Sequence, residues 1–316
     1  MDEQFEQRPL LPVARMRELV ARSDFESAIR LVLHLTAFVS LIAAIVVLPK
    51  HWAVDLALSI CLAWVWSALF APFHECTHRT AFKSKLGNRI GVWLTGIPFG
   101  MAPAVYRTFH YEHHRHTQDP DKDPELTDPR YAHWPENVLG WIVMASGYGL
   151  IMLKLRPLIA FLRLPIEQWR DIASWAPKID NPRGLKRECY VIAGLWLVFV
   201  GASLFWVKNG IWLVAAAWLA HGFQALWVAS EHTGLPPKGT ILDRTRSVIS
   251  NRFVRWWLWN MNYHAEHHAW PGIPWYRLPL AHEEVRESLG SLANSYGALH
   301  ANIIRGVNRP TCDTGA

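Results

Sequence analysis

Eight of the sixteen histidines in this 316-residue chain fall in three short stretches. They are His74-Glu75-Cys76-Thr77-His78, His110-Tyr111-Glu112-His113-His114 and His264-Ala265-Glu266-His267-His268. An imidazole ligates metals, carries protons or, singly, fills a core position. Packing alone does not account for dense groups of them, because each ring carries a polar nitrogen that needs a partner. Residues i and i+4 share a helix face, so His74 and His78 can address one metal. In H-x-x-H-H the i+3 and i+4 positions both lie near the first residue. His110, His113 and His114 can therefore splay to two adjacent metals, and so can His264, His267 and His268. One transition-metal ion takes about four to six ligands, so eight rings argue for two ions. An imidazole-rich set suits iron, copper, zinc or nickel, and spacing does not choose among them.

The rest of the chain must bring these stretches together. The composition is 51% hydrophobic and 18% charged, with 18 Trp. Trp favours membrane–water interfaces, and the net charge of +6 fits a positive-inside membrane protein. The basic residues form no stripe interleaved with aromatics, so no nucleic-acid partner is expected. Cys61, Cys76, Cys189 and Cys312 are scattered without a C-x-x-C, which argues against a thiolate zinc site or an iron–sulfur cluster. No small-residue cleavage site follows the first apolar run, so no removable signal is expected.

Leu31–Leu48 and Trp52–Phe73 are apolar runs near the ~20 residues of a spanning helix, joined by Pro49-Lys50-His51. Tyr190–Val207 and Ile211–Ser230, joined by Lys208-Asn209-Gly210, repeat the arrangement. The predicted fold is all-α and integral to the membrane, with two hairpins, four spanning helices and a cytoplasmic helical cap around a histidine-ligated di-metal site. Ile90–Val105 is broken by Gly and Pro, and Val138–Leu155 is short and Gly-broken. Both read as surface-lying or half-inserted segments. The short turns carry only Lys50 and Lys208 of the 32 Lys and Arg, which places both termini and all three histidine stretches on the cytoplasmic side. The expected divisions are a tail over 1–28, a membrane domain over 29–285 and a C-terminal tail over 286–316. A surface helix is expected near His282–Leu292.

H-x-x-x-H, H-x-x-H-H and H-x-x-H-H in this order around two hairpins resemble the membrane fatty acid desaturase family. The similarity runs over residues 50–285. It is strongest in Asn260-Met261-Asn262-Tyr263-His264 with Trp270-Pro271, and in His113-His114-Arg115-His116-Thr117-Gln118-Asp119-Pro120. The resemblance implies a di-iron centre that uses O2 to take hydrogen from unactivated C–H bonds of a lipid or acyl substrate. It implies a further histidine ligand after the second hairpin, for which His232 is the choice. The competitor, His221, lies about 16 Å deeper by helical rise. Read from the residues themselves, Asp119, Asp121 and Asp123 form either a solvated turn or a loop in which Asp119 or Asp123 holds a ligand ring; Glu75, Glu112 and Glu266 could serve the same way, and Asn260 and Asn262 could line the site. The chain shows neither a His-Pro-Gly-Gly haem-domain signature nor a Rieske pattern. Electrons are thus expected from a separate ferredoxin or cytochrome with its reductase, docking on the basic face.

The other histidines, His34, His51, His133, His282 and His300, read as surface or interfacial, His116 as peripheral to the site, and Trp256, Trp257 and Trp259 as an interfacial belt. Two further readings carry their own signals. A di-iron hydroxylase or oxidative demethylase would use the same histidine stretches. His74-Glu75-Cys76-Thr77-His78 also matches the H-E-x-x-H zinc protease pattern with Glu75 as general base, but leaves both H-x-x-H-H stretches without a role. A metal sensor or carrier without turnover is the remaining class.

Overall fold

A computed structural model of the chain describes residues 10–49, 51–126 and 138–305. Lys50, His133 and the chain ends, including Cys312, lie outside the described residues. After a short helix α1 (Val13–Leu19), α2 (Phe25–Val47) leads into α3 (Trp52–Ala68) and α4 (Phe70–His78). Next come α5 (Lys85–Phe99), α6 (Pro103–His116), α7 (Val138–Ala145) and α8 (Tyr148–Arg163). The second long pair is α9 (Pro182–Phe205) and α10 (Gly210–His232). The C-terminal part holds α11 (Ile241–Arg244), α12 (Arg252–Trp257), α13 (His264–Ala269), α14 (Leu278–Val285) and α15 (Tyr296–Arg305). Strands β1 (Ser247–Val248) and β2 (Leu292–Ala293) pair in parallel.

Among the described residues four helices are long and apolar enough to cross a membrane: Phe25–Val47, Trp52–His78, Pro182–Phe205 and Gly210–His232. The outer two, α2 and α9, bury only 22% and 17% of their apolar windows, against 61% for Trp52–His78 and 44% for α10. Val32, Leu33, Val39 and Val47 on α2 are exposed, as are Leu195, Leu197, Val198 and Phe205 on α9. So broad an apolar surface is stable facing acyl chains, not water. Trp52 and Trp206 stand exposed at the short-turn end, in the position of interfacial anchors.

The spans overrun their sequence-derived limits at the ends that matter. The second continues past Phe73 to His78, so the first histidine stretch rides on the spanning helix itself. It stops there because Arg79 takes a left-handed conformation, φ 60°. The fourth runs to His232. The third begins at Pro182, where the Asn181 side chain accepts from Gly184 N and Pro182 supplies a fixed first-turn φ. Because α4 and α10 both end at the face where the chain returns, their terminal histidines arrive at one level.

Helices α7 and α8 form an apolar pair bent by 51°, either a fifth, broken span or a re-entrant loop. The bend is seated against the middle of α10. Gly147 at the bend has φ +77°, and a Cβ there would meet Gly222 N at 2.5 Å and the His221 carbonyl carbon at 2.6 Å. Lys154 on α8 donates to Gln224 Oε1 (3.0 Å) and Phe99 O (3.4 Å), tying the pair to α10 and α5.

Several peripheral expectations are corrected. His34 is fully buried, its Nε2–H donating to Val65 O (2.9 Å) while Nδ1 accepts from Trp259 Nε1 (3.4 Å). Trp259 is likewise fully buried and packs on Trp275, rather than joining an interfacial belt. Periodicity did not show this because Trp259 and Asn260 both have positive φ (48° and 57°), which turns the chain inward before α13. The segment after 286 is folded in its described part. Leu299 and Ile303 of α15 are buried against Val248, and β2 pairs with β1.

Gly147→Val combines a side chain at positive φ with a backbone clash. It is expected to destabilise the protein by about 2 kcal/mol or more, read as a lowered midpoint of thermal unfolding in detergent.

Candidate metal centre

The three histidine stretches and the end of α10 meet in two adjoining groups. His74 and His78 of α4, His110 and His114 of α6 and His267 of α13 have ligand atoms all within 4.8 Å of one another. His113, His232 and His268 form a second such group, and Glu231, His232 and His264 a third that shares His232 with it. Each H-x-x-H-H stretch is therefore divided. The i+4 spacing sends His110 and His114 one way and His113 the other, and α13 sends His267 to the first group and His264 and His268 to the second. The rings of His114 and His268 stack at 3.9 Å across the boundary.

The Nε2 atoms point inward at close range. His78 Nε2 is 2.8 Å from His110 Nε2, which is 3.0 Å from His114 Nε2, which is 3.3 Å from His267 Nε2. In the second group His113 and His264 Nε2 lie 3.2 and 3.0 Å from His232 Nε2. A neutral imidazole has one N–H and one lone pair, so such a chain leaves lone pairs facing each other. His74 Nε2 and His268 Nε2 are buried with no hydrogen-bond partner. Leaving a buried polar atom unmade costs about 1–3 kcal/mol. A cation shared by the converging lone pairs removes both penalties, so the residues present fit bound metal.

Three of the outward nitrogens, those of His113, His232 and His268, are anchored by hydrogen bonds, whereas Nδ1 of His74, His264 and His267 has no hydrogen-bond partner. His113 Nδ1–H donates to Asp123 Oδ1 (2.9 Å). Asp123 is itself fixed by the amides of Gln118 (2.8 Å) and Glu125 (3.0 Å). His232 Nδ1–H donates to Arg244 O (3.2 Å), and His268 Nδ1–H to Thr117 Oγ1 (3.2 Å), whose hydroxyl donates to His113 O. Glu75 Oε1 sits between the Nδ1 atoms of His74 (3.5 Å) and His267 (3.6 Å). Its Oε2 accepts from Thr80 Oγ1 (3.0 Å). The hydrogen bonds to His113, His232 and His268 hold the tautomer that presents Nε2 to a metal, and the Glu75 carboxylate faces His74 and His267 electrostatically.

Burial, followed by the neighbouring imidazoles, pushes the pKa values of His110, His114, His264, His267 and His268 well below the ordinary value. These rings are neutral at physiological pH, the form that offers a lone pair. For His113 burial acts in the same direction, but the Asp123 and Glu125 carboxylates outweigh it and raise the value to about 9.

Among the other residues singled out in the sequence, Asp123 reaches a ring and Asp119 does not. The Asp119 carboxylate accepts from Asp121 N (3.0 Å) and pairs with Lys122 (3.5 Å). Asn260 is aimed away, its Nδ2 donating to Trp275 O (3.0 Å), where it supports the turn into α13. His221 lies in α10 with Nδ1 donating to Ala217 O (2.7 Å), outside both groups. His282, read as surface, instead donates from Nδ1 to Glu266 Oε1 (2.5 Å), and Ser247 donates to the same carboxylate.

Sequence reasoning also passed over Tyr106 and Glu231. Tyr106 stacks on His110 at 5.0 Å with its hydroxyl buried and unpartnered. Its i−4 spacing from His110 was the available signal. With Phe70, Phe73 and Phe99 it forms an aromatic wall beside His74 and His110.

The architecture is that of a helical membrane protein whose buried imidazole groups could hold metal. Residues 50–299 match the model of the fatty acid desaturase family, and the chain belongs to that family. Among curated relatives it is similar to a Mus musculus sphingolipid delta(4)-desaturase/C4-monooxygenase, 26% identical over 69% of this chain and 66% of that protein. An sn-1 oleoyl-lipid 12-desaturase of Picosynechococcus sp. is 23% identical over 90% and 85%. A zeaxanthin 4-ketolase of Chlamydomonas reinhardtii is 23% identical over 74% and 46%. The chain thus spans just under two thirds of the mouse protein and about half of the algal one.

Asp123→Asn removes the charge that orients His113. Metal is expected to be released at chelator concentrations about 10–100-fold lower than for the unmodified protein, measured by metal content after graded chelation.

Proposed function

We propose that this protein is an O2-dependent di-iron membrane oxidoreductase that removes hydrogen from unactivated C–H bonds, with fatty acyl or lipid desaturation as its reaction. The observation that carries the reading is the pair of adjoining, buried Nε2 groups at the ends of two apolar spans. His74, His78, His110, His114 and His267 would hold one iron, and His113, His232, His264 and His268 the other. Bound iron supplies the O2 chemistry and the hydrogen abstraction. The protein's part is to hold the rings, keep water out and set the substrate in register. The aromatic wall of Phe70, Phe73, Phe99 and Tyr106 gives the first imidazole group an apolar flank of the kind an acyl chain would pack against.

Two electrons per turnover come from outside the chain, through a separate ferredoxin or cytochrome served by a reductase. The distribution of Lys and Arg supports a cytoplasmic site with both termini on the same side. Oxygen insertion, as hydroxylation or oxidative demethylation, is the second reading. It is favoured by two relatives whose names are a C4-monooxygenase and a 4-ketolase. The protease reading has less support. Glu75 lies behind the Nδ1 atoms of His74 and His267, not on the Nε2 side where a metal-bound water would need its base.

Incubation with reductant, a ferredoxin–reductase pair and candidate lipids is expected to yield products lighter by about 2 Da. Products heavier by about 16 Da would establish oxygen insertion instead. His110→Ala and His267→Ala are each expected to abolish turnover while the protein remains monodisperse in detergent. Retained turnover in both would refute the di-iron reading.

A further inference from the structure

The two imidazole groups are not equal. The first holds five rings, all mutually close. The second holds three, with His264 joined through His232. The space beside His232 and His264 that lacks a fifth ring is taken by Glu231. Its Oε2 lies 3.7 Å from His264 Nε2, and ligand atoms of Glu231, His232 and His264 lie within 4.8 Å of one another. The side chain is 13% exposed.

The surroundings of Glu231 do not explain it as an ordinary ion pair. Among the described residues its carboxylate makes an ion-pair contact with His264 and with no Lys or Arg. Arg246 is nearby, yet its guanidinium donates to the carbonyls of Ser230 (3.1 Å) and Thr233 (2.9 Å), and its amide to the Glu231 carbonyl. A largely buried carboxylate without a cation is costly unless it takes up a proton or a charge arrives to pair with it. The orienting carboxylates Glu75 and Asp123 act at Nδ1, behind the rings. Glu231 instead approaches His264 from the Nε2 side, where a metal would sit.

We propose that Glu231 donates a carboxylate oxygen to the second metal. That centre then has four imidazoles and one carboxylate, beside a first centre of five imidazoles. The inference rests on the metal pair proposed above. The carboxylate brings negative charge to a site otherwise built of neutral rings, and makes the two metals chemically distinct. A hard oxygen donor favours the more oxidised state of its metal, so the second ion is the more easily oxidised of the two.

The test uses full-length protein loaded with iron-57, unmodified and as Glu231→Gln, with Mössbauer spectra and iron content after graded chelation. Two irons in two distinct quadrupole doublets are expected for the unmodified protein. In Glu231→Gln one doublet should shift or vanish, with that iron released at chelator concentrations at least about tenfold lower, while the other doublet stays. Unchanged spectra and unchanged retention in the variant would overturn the assignment of Glu231. Absence of iron from the unmodified protein would instead overturn the di-iron reading. Should Glu231→Gln not fold, Glu231→Asp takes its place: a shifted doublet and earlier release of one iron are expected, and unchanged spectra and retention would overturn the assignment.

Discussion

Nine imidazoles from four separate helices share one nearly dry volume, and the fold is arranged around the difficulty of keeping them there. Every ring has two nitrogens to satisfy, and water does not reach most of them. The structure divides the task. Nδ1 atoms turn outward to Asp123, Glu75, Thr117 and the Arg244 carbonyl, and Nε2 atoms turn inward to a common centre. Without the outer partners the rings would rotate to find other acceptors. Without a cation the inner nitrogens would oppose one another.

That arrangement sets demands on the helices. Spanning helices usually end in the interfacial region, yet Trp52–His78 and Gly210–His232 run on without a break long enough to lose register until their histidines are placed. The left-handed Arg79 closes the first immediately after His78. The turn at Trp259 and Asn260 then delivers α13 against α4 and α6. This turn is held by Trp259 packed on Trp275 and by the bond from Asn260 to Trp275 O. A bulky residue at positive φ is strained, and it persists because the surrounding contacts determine its place. The residues that look like membrane anchors in the sequence are thus partly the braces of the site.

The polar groups placed within or beside the apolar bundle follow the same logic. His34 satisfies both nitrogens, one with Val65 O and one with Trp259, and so joins the first spanning helix to the turn before α13. Lys154 reaches the last carbonyl of α5 and the Gln224 side chain, fixing the bent α7–α8 pair against α10. Each is a buried polar group with its partners present, and each ties a helix to an element that carries histidines.

Much was legible in the chain because helical periodicity and bilayer thickness are local rules. Four apolar runs with short turns define the spans, and i, i+3, i+4 spacing defines which histidines share a face. The same rules set the division of His110 and His114 from His113. Other features depend on where a side chain ends in three dimensions. Asp119 and Asp123 are alike in sequence, but only the backbone turn of residues 117–123 decides that Asp123 reaches His113. Glu231 shows no pattern of its own, and its approach to His264 exists only because α10 and α13 meet across 31 residues of intervening chain. His282 and His34 read as surface residues because one-dimensional context cannot show a buried acceptor. The sequence alone determined the membrane class, the ligand-type residues and their pairing on each helix, all consequences of local spacing. Tertiary structure alone decided which rings share a centre, which carboxylates serve them and from which side, because those are distances between elements that no local rule constrains.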